Sequence, residues 1–294
     1  MKHPDESLIF QIFCVSATFL YLASYGLYAQ DISDGILETH TYPSTVSGPS
    51  AKKMYVYLPA GYHVGHARYP VVYFLHGANG NERSWMDKGL ILSCIDSLET
   101  CGEIPPAIYV FPNTNRYDNE YDYIGSRPRR SVDAYMDLNG SAEYSFIHDI
   151  MKYVDENLRT IPEKRYRAIA GLSLGGLQTL YITSNVPDAF GYVGLFSPII
   201  YPPMSIGRYS HIYRNLPDKL EIQFGSSPSL YLIMIGEDDP YYRSAFIFSE
   251  SLRQERYDFR FISTPGGHTW DNWKSYSLYF LKSLWDSPQG DASR

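Results

Sequence analysis

Basic charge is in short supply. The 294 residues hold 25 Lys and Arg against 32 Asp and Glu, a formal net charge of −7. Nucleic acid is bound through a basic face that replaces the counterions of its phosphates, so this balance excludes it as a partner. It also fits poorly with an anionic membrane surface or a polyanionic substrate. Cysteine is scarce too, with only Cys14, Cys94 and Cys101. These and eight scattered histidines lack the spacing of a ligand set, so no metal is expected. No internal repeat, low-complexity tract or linker divides the chain. What is abundant is apolar: 44% hydrophobic residues and 28 tyrosines, enough for a large core or for aromatic walls around a ligand.

Long apolar runs are missing except for one, Leu8 to Tyr28, which carries no charge. It reads as the apolar region of a secretory signal, with Leu27-Tyr28-Ala29 an imperfect small-residue cleavage site. Two details are awkward. Lys2 is offset by Asp5 and Glu6, and a run of about 21 residues is also long enough to span a bilayer as an uncleaved anchor. Residues 1–29 are therefore expected to be a signal peptide, and 30–294 a single domain of an exported protein, periplasmic or secreted. A membrane is reached only through the N-terminal segment if it stays uncleaved. In an exported chain Cys94 and Cys101 are open to pairing. On a continuous helix they would stand about 10 Å apart, too far for a disulfide, so pairing requires the helix to end near Thr100.

Short apolar runs recur through the rest. Lys53–Leu58, Val71–Leu75, Ala107–Phe111, Tyr166–Ala170, Tyr192–Phe196, Leu230–Ile235 and Asp258–Ile262 read as strands. Unbroken apolar runs suit parallel strands covered on both faces. Helical patterns lie between them over Leu90–Leu98, Ser145–Leu158, Leu177–Asn185, Ser244–Glu255 and Asp271–Trp285. Strands alternating with helices predict a three-layer α/β sandwich around a mostly parallel sheet. The Tyr- and Arg-rich stretch from Asn113 to Gly140 has no periodicity and reads as a functional loop at the carboxyl edge of that sheet.

The strand Tyr166–Ala170 runs into Gly171-Leu172-Ser173-Leu174-Gly175-Gly176 and then into a helix. Gly-x-Ser-x-Gly between a strand and a helix is the nucleophile elbow of α/β hydrolases, with Ser173 at the tip. A serine hydroxyl needs a base, and histidine held by a carboxylate is the usual one. Only His211 and His268 follow Ser173. His268 lies in the Gly-rich loop after the last predicted strand; His211 lies in a region without strand character. The acid should follow the preceding strand, where Glu237, Asp238 and Asp239 compete and Asp239 is favoured. The oxyanion hole requires two backbone N–H groups. Leu174 supplies one, and Ala78, in the loop His76-Gly77-Ala78-Asn79-Gly80, is favoured over Gly77 for the other. His76 is expected to order that loop. Trp85, Tyr121, Tyr123 and Trp270 are candidate substrate-wall residues.

Val72-Tyr73-Phe74-Leu75-His76-Gly77, the Ser173 elbow, Gly236-Glu237-Asp238-Asp239 and Gly266-Gly267-His268-Thr269-Trp270 together resemble the esterase-D-type branch of the α/β hydrolases, over about Lys52 to Trp285. That branch holds feruloyl, acetylxylan and siderophore esterases, S-formylglutathione hydrolase and mycolyltransferases. The resemblance implies an α/β-hydrolase fold and a catalytic triad of Ser173, Asp239 and His268, with Ala78 and Leu174 as oxyanion donors. It implies no cofactor. An exported member with an aromatic-rich loop is most similar to the feruloyl or acetylxylan esterases, so a small-molecule or polysaccharide ester is the expected substrate. The alternatives are an acyltransferase of the mycolyltransferase type, a serine peptidase, and a non-catalytic carbohydrate-binding protein on a hydrolase fold.

Overall fold

The structure, a computed structural model, describes residues 35–45, 51–115, 140–200 and 211–285. The segment 1–29, most of the loop from 113 to 140, Tyr121 and Tyr123 lie outside them. Among the described residues the strands are β1 (Ile36–Pro43), β2 (Ala51–Leu58), β3 (Val71–Leu75), β4 (Ile108–Pro112), β5 (Arg167–Leu172), β6 (Tyr192–Phe196), β7 (Leu230–Gly236) and β8 (Arg260–Thr264). They form one sheet in the order β1-β2-β4-β3-β5-β6-β7-β8. β1, β2 and β4 pair antiparallel; every pair from β4 to β8 is parallel.

The apolar runs become strands because both faces of the sheet are covered. Along β3 the side chains alternate, Val71, Tyr73 and Leu75 into one core layer and Val72 and Phe74 into the other, and all are buried. The first layer is closed by α4 (Met151–Asn157), α5 (Leu174–Asn185), α6 (Leu216–Gly225) and α7 (Tyr242–Gln254), with α3 (Ser141–Ser145) leading into α4 and burying only Glu143 and Ser145. The second is closed by α1 (Ser84–Asp87), α2 (Ile91–Thr100) and α8 (Trp270–Ser283), where Tyr276, Phe280 and Leu281 face Val72, Phe74 and Phe196 across one cluster. Each such side chain contributes roughly 1.5–3 kcal/mol by leaving water. This is the predicted three-layer sandwich.

Some elements differ from the sequence-based expectation. β1 is an edge strand whose side chains are mostly in water; only Tyr42 is buried, so no apolar pattern marks it. α6 starts behind Asn215 in a left-handed conformation with a proline in its first turn. Between α3 and α4 the chain passes through a π-helical turn, Phe146–Ile150, which splits the single predicted helix. α2 does end at Thr100, yet the Cys94 and Cys101 thiols are both free. Among the described residues no helix is long and apolar enough to cross a membrane, and no cluster of His, Cys, Asp and Glu could hold a metal.

From β3 the chain crosses to β4 on one side, and β5 then pairs on the other. The carboxyl ends of β3 and β5 therefore flank the crevice where open α/β sheets bind ligands.

Candidate active site

β5 is buried along its whole length and ends one residue before α5. Ser173 fills that gap at φ 55, ψ −115, a region that non-glycine residues adopt only under constraint. The constraint is visible. Its N–H donates to the Phe196 carbonyl at 2.8 Å, and its carbonyl accepts from Gly176 and Ile199, each at 3.1 Å. The flanking glycines let the turn close. A Cβ on Gly175 would lie 2.5 Å from the His76 carbonyl oxygen, and one on Gly171 would run into the Gly175 backbone.

β7 ends at Gly236, and the three acidic residues that follow have different surroundings. Glu237 and Asp238 are exposed, whereas Asp239 is 4% exposed. Its Oδ1 accepts the Tyr241 N–H at 2.9 Å, and its Oδ2 lies 2.8 Å from His268 Nδ1. Burial alone would raise the Asp239 pKa. The hydrogen bonds from His268 and Tyr241 outweigh it and hold the carboxyl below its ordinary value. An ionised carboxylate can only accept, so Nδ1 carries the imidazole proton. His268 Nε2 is then the acceptor, and it stands 2.8 Å from Ser173 Oγ. The structure thus brings Ser173, His268 and Asp239 into one hydrogen-bonded line. His211 lies in a short 3-10 turn, exposed, and takes no part.

The loop after β3 lies against the serine: a Cβ on Gly77 would be 3.2 Å from Ser173 Cβ. His76 is buried, with Nδ1 2.8 Å from the Gly77 carbonyl and Nε2 accepting the Thr114 N–H at 3.1 Å. Nδ1 is therefore the protonated nitrogen. Burial pushes its pKa down to about 4, so the ring is neutral and serves as a strut of the loop. Ala78 is exposed beyond it, and Leu174 opens α5. Among the described residues neither N–H has a protein acceptor.

The candidate wall residues divide. Trp85 is 1% exposed, its indole N–H donates to the Leu75 carbonyl at 3.1 Å, and it meets Trp270 edge-on at 5.5 Å. It backs the wall and offers no surface to a ligand, because its ring fills the core above Phe74. Trp270 keeps part of its surface in water. Two aromatic neighbours of His268 went unnoticed in the sequence. Trp273 meets the imidazole edge-on at 4.8 Å and Tyr241 does so at 5.2 Å. Their spacing was a usable signal: Tyr241 stands two residues past Asp239, and Trp273 is one helical turn past Trp270.

Residues 47–250 match the Esterase family model. The chain belongs to the esterase family. Within its fold it is similar to a ferulic acid esterase (TM-score 0.70, 22% identity, covering 85% of this chain and 98% of the other). It is also similar to the ferulic acid esterase of Anaeromyces mucronatus determined with ferulic acid (TM-score 0.67, 23% identity, covering 88% and 94%). At such identities the likeness establishes the shared α/β-hydrolase fold. In sequence this esterase-family chain is 34% identical over 183 residues to an endo-1,4-beta-xylanase/feruloyl esterase of Xylanibacter ruminicola, a match covering 61% of this chain and 24% of that relative. The chain thus spans about a quarter of the length of that curated relative.

Proposed function

We propose that this protein is an extracytoplasmic serine carboxylic-ester hydrolase that removes feruloyl or acetyl groups from plant polysaccharide through an acyl-enzyme on Ser173. The observation that carries the mechanism is the line from Asp239 to His268 to Ser173, with both hydrogen bonds at 2.8 Å. His268 Nε2 takes the hydroxyl proton as Ser173 Oγ bonds to the ester carbonyl carbon, whose π electrons move onto oxygen. Asp239, already ionised, stabilises the imidazolium and keeps its tautomer. The N–H groups of Ala78 and Leu174 receive the oxyanion. Collapse expels the sugar hydroxyl, protonated by His268. Water, deprotonated by the same imidazole, then frees the acid and restores the serine. Nothing in this cycle calls for a metal or an organic cofactor.

The choice of acyl group is supported by relatives. The Xylanibacter relative is a xylanase and feruloyl esterase, and the Anaeromyces enzyme was determined with ferulic acid. An aromatic surface beside His268 that includes Trp270 suits a planar phenolic acyl group. Export rests on the Leu8–Tyr28 run.

Two measurements test this function. Ser173→Ala should lower hydrolysis of 4-nitrophenyl acetate by about 10⁴-fold or more and abolish labelling by a fluorophosphonate probe. Near-normal turnover by the variant removes Ser173 from the mechanism. Feruloylated and acetylated xylan assayed in parallel should release free ferulate or acetate. Transfer of the acyl group to an added sugar in preference to water would make the protein an acyltransferase.

A further inference from the structure

We infer that Asn115 is a positioning residue of the oxyanion hole, tying down the far end of the loop that presents the Ala78 N–H. This rests on the oxyanion role proposed above for Ala78.

The segment after β4 folds back over the loop after β3 and grips it at both ends. At the near end the Thr114 N–H donates to His76 Nε2 at 3.1 Å, while the Thr114 hydroxyl donates to Gln178 Oε1 on α5 at 2.9 Å. At the far end Asn115 Nδ2 donates to the Gly80 carbonyl at 2.6 Å. Asn115 is itself braced: its N–H donates to Asn113 Oδ1 at 3.0 Å, and Lys52 Nζ donates to its carbonyl at 2.5 Å. Lys52 is buried, so this brace is a built feature of the interior.

Between the two grips the loop is held through one atom, the Gly77 carbonyl, which His76 Nδ1 meets at 2.8 Å. The Gly80 N–H closes a tight turn onto the Gly77 carbonyl at 3.1 Å, and Asn79 sits at φ 57. The direction of the Ala78 N–H is the direction of the Gly77–Ala78 peptide plane. That plane is fixed once Gly77 is packed against Ser173 and Gly80 is pinned. Remove the second condition and the plane is held only through the Gly77 carbonyl, by the turn and by His76 Nδ1–H, and the Ala78 side of it is free to tilt. An oxyanion donor turned away stabilises no transition state, yet ground-state binding of the ester is untouched.

The test compares the wild-type chain with Asn115→Ala and with Asn115→Asp, which keeps the shape but replaces the N–H donors with a charged carboxylate oxygen that repels the Gly80 carbonyl. Hydrolysis of 4-nitrophenyl acetate is measured beside inhibition by an aryl trifluoromethyl ketone. Ser173 adds to that ketone: the Oγ–C bond forms, the carbonyl electrons move to oxygen, and His268 takes the proton. The resulting hemiketal oxyanion occupies the hole. Loss of one complete oxyanion donor costs about 10²–10³-fold in kcat, so a displaced donor should cost about 10-fold in both variants with KM nearly unchanged. Affinity for the ketone should fall by the same factor as kcat/KM. Wild-type kcat in the Asp variant overturns the inference, and so does a fall in kcat with undiminished ketone affinity. If the Ala chain does not fold, the Asp chain carries the same comparison. A wild-type protein that neither turns over the ester nor binds the ketone would instead overturn the hydrolase function itself.

Discussion

His268 owes its placement to neighbours of different kinds. Asp239 sets the tautomer from one ring nitrogen, while Trp273 and Tyr241 meet the ring edge-on. The Asp239 side chain is wholly buried and the imidazole about a quarter exposed, so water reaches the ring and not the carboxylate. Asp239→Asn keeps the shape and loses the charge that stabilises the imidazolium. It should lower kcat by about 10⁴-fold with the fold intact, measured as ester turnover beside thermal unfolding. Trp273→Leu should act differently, because it leaves the proton chemistry in place and loosens the ring. A fall of about 10-fold in kcat is expected, with the fluorophosphonate labelling rate falling in step. An unchanged labelling rate would remove Trp273 from the positioning of His268.

At the scale of elements, the elbow works because two backbones nearly touch. β5 and α5 meet at Ser173 while the β3 loop passes over Gly175. Gly175→Ala would push a methyl group against the carbonyl oxygens of His76 and Leu75, where β3 runs into its loop. Overpacking of this kind costs roughly 1–3 kcal/mol and displaces the end of β3 together with its loop. The variant should unfold at lower denaturant and lose more activity than stability. Unaltered kcat in a destabilised chain would show that the loop has slack. The elements themselves differ in how plainly the sequence announces them. β3, β6 and β7 are buried on both faces and read as unbroken apolar runs, and so does β5 after Arg167, which is buried against Asp155. β1 has an edge position and a solvent face, and α6 has a weak stripe, so neither stands out.

Over the whole molecule, one buried and one partly buried group tilt stability in opposite directions with pH. His76 is buried neutral with its pKa lowered from 6.5 to about 4. Below the unfolded value the unfolded chain takes up a proton that the folded chain refuses, so this group makes stability fall as pH falls from 6.5 towards 4. Glu99 stands under partial cover beside Tyr109. Burial raises its pKa from 4.5 to about 7, against hydrogen bonds from the Ala107 N–H and Tyr109. The folded chain keeps that proton longer, so this group makes stability fall as pH rises from 4.5 towards 7. In the shared window the slopes oppose each other. Glu99→Gln removes the descending one, so its thermal midpoint should climb more steeply than that of the wild type between about pH 5 and 6.5. Parallel profiles would remove Glu99 as the source.

What the sequence determined by itself was local. A serine at a tight strand-to-helix joint needs glycines two residues to either side, and parallel strands covered on both faces must be apolar throughout. The fold class and the elbow that carries Ser173 were legible for those reasons. Tertiary structure alone decided among Glu237, Asp238 and Asp239, because adjacent carboxylates look alike until one is buried beside an imidazole and the others are left in water. It alone turned Trp85 inward and brought Asn115 onto Gly80 and Thr114 onto His76 and Gln178. Such side-chain bonds join residues tens of positions apart and leave no period in the chain, so only the packing of the layers reveals them.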